Sequence, residues 1–65
     1  MDRLRELRKE QGVTQQKLAD DLLITQRTLG RYESGDREPR LSMIFDLADY
    51  FKVSIDYLVG RSDVK

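Results

Sequence analysis

Leu4 and Leu7 stand three residues apart among charged side chains, with Gly12 close behind. The pattern predicts a short two-sided helix from Asp2 to Gln11, closed by a C-terminal glycine. Thr14 then offers a hydroxyl cap to a second helix, Gln15 to Leu22, in which Leu18, Ala19 and Leu22 share a face opposite Lys17, Asp20 and Asp21. Only Leu23 and Ile24 separate it from a further hydroxyl cap, Thr25. A third helical pattern, Thr25 to Ser34, ends at Gly35, so these two helices must turn sharply on one another. Beyond the polar turn Asp36-Arg37-Glu38-Pro39, the stripe Leu41, Ile44, Leu47, Ala48 and Phe51 marks a fourth helix. Ser54 caps a fifth, one or two turns long, stopped at Gly60. The expected core is Leu4, Leu7, Val13, Leu18, Ala19, Leu22, Ile24, Leu29, Tyr32, Leu41, Ile44, Leu47, Ala48, Phe51, Val53, Ile55 and Leu58. One helical domain over 1–60 is expected, followed by a frayed polar tail over 61–65.

A chain of 65 residues buries only about 60% of its unfolded surface, which suits a simple, locally connected helical bundle. Cysteine and histidine are both absent, and with them go disulfides, most transition-metal sites and the usual general base. No metal, cofactor or small-molecule site is expected. The adjacent Asp20 and Asp21 read as a solvated helix face rather than an acid/base pair, so the chain is not expected to be an enzyme. No apolar run approaches the roughly 20 residues of a membrane span, and the charged start Met1 to Glu6 is unlike a signal peptide. A cytoplasmic protein is the expectation.

Twelve basic and 12 acidic side chains cancel, which argues against binding to polyanions by charge alone. Layout matters more than the total. On a helical wheel the third helix has Gln26, Arg27, Gly30, Arg31 and Ser34 on one face and Thr28, Leu29, Tyr32 and Glu33 on the other. The first set carries what major-groove reading needs, because Arg donates twice to the edge of guanine and Gln pairs with that of adenine. A solvated surface explains the same residues equally well on the wheel alone. Gly30 costs a helix about 1 kcal/mol relative to Ala, which calls for a reason such as close backbone approach.

Taken together, Gly12-Val13-Thr14-Gln15, Leu18-Ala19, Leu22, Ile24-Thr25, Leu29, Tyr32-Glu33 and Gly35 resemble the lambda-repressor and Cro-like (XRE) helix-turn-helix family. The later Arg37-Glu38-Pro39 turn and the ending Val53 to Leu58 extend the likeness from Leu4 to Gly60. It implies an all-α, five-helix DNA-binding fold with the helix-turn-helix at helices two and three. The resemblance also implies that Gln26, Arg27 and Arg31 read bases, with Gly30 and Ser34 on the same surface. Gln15 would bind a phosphate and brace the third helix, and Arg8 would pair with Glu33 and could face a phosphate as well. Thr25, Arg37 and Arg40 are phosphate or positioning candidates. The dimer surface would involve the last helix, where Tyr57 and Val59 are not needed for the core. The sequence departs from the pattern at Leu23, where a glycine usually supports the turn.

The expected function is a transcriptional regulator, a repressor, that binds a palindromic double-stranded operator as a homodimer with recognition helices about 34 Å apart. The alternative is a protein-interaction module of the same fold that does not bind DNA, which zero net charge would permit.

Overall fold

Hydroxyl side chains start three of the five helices. In the computed structural model, which describes Met1 and residues 3–65, these are α1 (Leu4–Glu10), α2 (Gln15–Leu22), α3 (Gln26–Ser34), α4 (Leu41–Phe51) and α5 (Ile55–Leu58). Asp2, the first residue of the expected first helix, lies outside the described residues. Thr14, Thr25 and Ser54 each accept a hydrogen bond from the backbone N–H three residues on, those of Lys17, Thr28 and Tyr57, satisfying a donor that the helix start would leave orphaned.

The helix ends repeat one device. After α1, α2 and α4 a single residue turns left-handed, and the next N–H reaches back five residues: Val13 to the carbonyl of Arg8, Ile24 to Ala19, and Val53 to Ala48. The three connectors Gly12-Val13-Thr14, Leu23-Ile24-Thr25 and Lys52-Val53-Ser54 are therefore one motif, with a left-handed residue, an apolar β-branched residue and a hydroxyl cap. Only the first has a glycine at the left-handed position. Leu23 takes the same conformation at φ 59° and ψ 39° while 92% exposed, so packing does not relieve its strain. The turn keeps its ordinary geometry despite the leucine.

Leu4, Leu7, Leu18, Ala19, Leu29, Tyr32, Leu47, Ala48, Phe51, Tyr57 and Leu58 form the buried core, with Val13, Leu22, Ile24, Ile44, Val53 and Ile55 packed partly buried around it. The Tyr50 hydroxyl donates to Asp21 at 2.6 Å and ties α4 to α2; this bond first, and the Lys17 ammonium second, hold the Asp21 carboxyl below its ordinary range.

Two side chains sit otherwise than expected. Leu41 is 63% exposed because it begins α4 at the edge of its apolar stripe, beyond the reach of the core. Tyr57 belongs to the core, under the Arg3 guanidinium stacked 4.2 Å from its ring centre. The segment 61–65 lies back against the domain: Asp63 pairs with Arg3, Lys65 pairs with Glu10, and the backbone carbonyl of Lys65 accepts from the N–H of Ser54.

Candidate nucleic-acid interface

The short turn at Leu23 sets α3 across α2, and α1 also packs against α3. Leu29, Tyr32 and Glu33 of α3 are buried between them, while Gln26, Arg27, Arg31 and Ser34 are exposed and Gly30 is half-exposed. The outward face expected from the wheel is thus formed as a single surface. Among the described residues, the side chain of neither Arg27 nor Arg31 makes an intramolecular hydrogen bond or ion pair, so both guanidinium groups keep their donors for an outside partner. A Cβ on Gly30 would meet nothing within 4 Å. No intramolecular contact therefore requires the glycine. Ser34 is differently employed: its hydroxyl donates to the carbonyl of Arg31 at 3.2 Å and accepts from the N–H of Asp36, closing the last turn of the helix.

Glu33 fixes the position of this face. Its side chain is fully buried, and Arg8 donates to it from Nε at 2.7 Å and Nη2 at 3.3 Å. Gln15 adds a bond from Nε2 at 3.0 Å and Arg5 one from Nε at 3.3 Å. Burial pushes the carboxyl's pKa upward, but the bonds from Arg8, Gln15 and Arg5 outweigh it and hold Glu33 below its ordinary value. An ionised carboxylate at this depth is tolerated because donors surround it. The brace continues outward, since the amide oxygen of Gln15 accepts from Gln26 at 3.3 Å. A polar chain thus runs from α1 through the buried carboxylate to the first residue of α3.

The expected pairing of Arg8 with Glu33 and the bracing role of Gln15 are both formed. Arg8 is turned inward: its Nη1 donates to the carbonyl of Val13 at 3.0 Å and its side chain is 11% exposed, so Nε, Nη1 and Nη2 each hold a protein acceptor. Thr25 positions the start of α3 by capping it, and its hydroxyl also donates to that of Thr28. Arg37 and Arg40 are exposed on the loop after α3, where with Thr25, Thr28, Tyr32 and Met43 they line an open groove of about 440 Å³. Val59 is half-buried and Tyr57 buried. Asp20 and Asp21 are engaged in bonds from Gln16, Lys17 and Tyr50 along the helix surface.

Sequence reasoning missed Arg5. The signal was its position three residues before Arg8, which puts both on one face of α1 and so opposite the same carboxylate.

The helix-turn-helix family model matches residues 4–58. The chain is 45% identical over its full length to the HTH-type transcriptional regulator AnsR of Bacillus subtilis strain 168, covering 56% of that protein. It is 37% identical, over 92% of its length and 54% of the relative, to the cryptic phage CTXphi transcriptional repressor RstR of Vibrio cholerae. It is also 27% identical, over 97% of its length but 31% of the relative, to the HTH-type transcriptional activator BcrR of Enterococcus faecalis. The chain spans about half the length of curated relatives such as AnsR that it matches. No solved structure matches it. With the buried Glu33 cluster, the short α2–α3 turn and this match in agreement, the chain belongs to the helix-turn-helix family of lambda-repressor and Cro-like (XRE-type) DNA-binding domains.

Proposed function

We propose that this chain acts as a sequence-specific, double-stranded DNA-binding transcriptional regulator, with α3 lying in the major groove. The observation that carries this reading is the outward face of α3, where Arg27 and Arg31 project one turn apart without an internal partner, on a helix held by the Glu33 cluster. Gln26, Arg27 and Arg31 are the base-reading side chains. Gly30 lets the helix backbone come close to the bases, and Ser34 shapes the helix end beside them. Gln15, Arg37 and Arg40 take phosphates, which fix register without reading sequence, and Thr25 positions the helix start.

Repression is the favoured sense of regulation, in keeping with the likeness to a phage repressor. A single domain of this size covers few base pairs, so we propose a homodimer on a palindromic site, with equivalent half-sites about one helical turn, or 34 Å, apart. Val59 is the more accessible of the two dimer candidates. Tyr57 can offer only the rim of its ring. Action on DNA would place the protein inside the cell.

Selection of bound duplexes from a random pool tests the reading. The expected product is an enriched site with mirrored halves, carried by two protomers in sedimentation. Recovery of no enriched site would contradict DNA recognition, and a single protomer on the selected duplex would contradict the dimer.

A further inference from the structure

Arg5 and Arg8 both donate to Glu33, yet they are left in opposite states. Arg8 engages Nε, Nη1 and Nη2 with protein acceptors and is nearly buried. Arg5 engages only Nε among the described residues, and its side chain is 55% exposed. Two guanidinium groups share the one carboxylate of Glu33, and the outer of them, Arg5, is the one open to solvent. Arg5 and Gln15 bond to the same oxygen of Glu33, Oε1, which places the two side chains next to each other.

We propose that Arg5 and Gln15 together form a clamp for one phosphodiester of the DNA backbone, with Arg5 supplying the charge. The inference rests on the DNA-binding reading above and adds Arg5, the more exposed of the two arginines on Glu33, to its phosphate contacts. Glu33 orients the clamp by holding Arg5 at Nε, and among the described residues no protein acceptor takes its Nη groups. A guanidinium fixed in this way loses little side-chain freedom on binding and presents two Nη groups to phosphate oxygens. Because Gln15 also accepts from Gln26, the clamp is joined to the start of the outward face of α3. A phosphate held there would fix the register of that helix along the groove.

The test is titration of the full chain, wild type and Arg5→Gln and Arg5→Lys variants, onto the selected duplex and an unrelated duplex across about 50 to 200 mM salt. Each phosphate contact adds about 0.9 to the slope of log affinity against log salt. Arg5→Gln is expected to lower that slope by about one per bound protomer on both duplexes alike, and Arg5→Lys to keep it. Thermal unfolding of each variant reads the bracing of Glu33 separately. An unchanged slope for Arg5→Gln alongside a lowered melting temperature would overturn the clamp and leave Arg5 a brace only. Inorganic phosphate relieving the salt dependence as well as DNA does would also overturn it, by showing a site for the free ion. Wild-type protein that binds neither duplex would overturn the DNA-binding reading itself, a result distinct from an unchanged slope.

Discussion

Glu33 is the most consequential side chain in the molecule, because one buried carboxylate receives bonds from α1, α2 and, through Gln15, the start of α3. Its folded pKa lies below the ordinary glutamate value of about 4.3. As pH falls, the unfolded chain therefore takes up the proton before the folded one does. The stabilisation is fully present above that ordinary value and is lost as pH drops through the depressed folded value. Urea unfolding of wild type and Glu33→Gln between neutral and acid pH should show wild-type stability declining in that acid window, with the difference between the two proteins narrowing. A constant difference would show that Glu33 is not the titrating group. At Leu23 the expectation runs the other way. Replacing this exposed left-handed leucine by glycine removes about 1 kcal/mol of backbone strain while sacrificing almost no burial. Leu23→Gly should raise the melting temperature by about 4 °C or more, and an unchanged or lower value would contradict the strain.

Among the elements, those announced by their ends could be read from the sequence. Thr14, Thr25 and Ser54 gave the three caps, Gly12 and Gly35 two of the stops, and α2 spans the residues expected of it. The wheel also separated the two faces of α3 correctly, since 100° per residue is a property of the backbone. Tertiary consequences were harder to see. A stripe of apolar residues shows that α4 has a buried side but not where along its length the core stops, so Leu41 was misplaced. Tyr57 was misplaced because the lid over its ring, Arg3, comes from the far end of the chain. Arg5 escaped notice because its place beside Arg8 on one face of α1 points to a shared partner only once Glu33 is seen to be buried against that face. Gly30 gives the element-scale prediction. With open space where its Cβ would stand, Gly30→Ala should stabilise α3 by about 1 kcal/mol. If close approach to DNA is the reason for the glycine, the same variant should bind its site more weakly while unfolding at a higher temperature. Higher stability with unchanged affinity would contradict that reason.

For the whole molecule, zero net charge proved uninformative because the charges are divided by location. Arg27 and Arg31 are exposed on α3, whose one carboxylate, Glu33, is buried; Arg37 and Arg40 share their loop with exposed Asp36 and Glu38, and exposed Asp46 and Asp49 lie on α4. A local basic surface on a neutral protein favours binding at one orientation and limits non-specific attraction. The two kinds of arginine should therefore behave differently. Arg40→Ala should weaken binding to every duplex alike and lower the salt slope by about one, as loss of a phosphate contact does. Arg27→Ala should act on sequence. The most direct test of α3 as the reading element is the affinity of wild type and Arg27→Ala for the selected site, for versions altered at single base pairs, and for unrelated DNA. The account predicts a loss of about 1 to 3 kcal/mol on the selected site, with tolerance gained at one base step and little change on unrelated DNA. An equal loss on selected and unrelated DNA would contradict it.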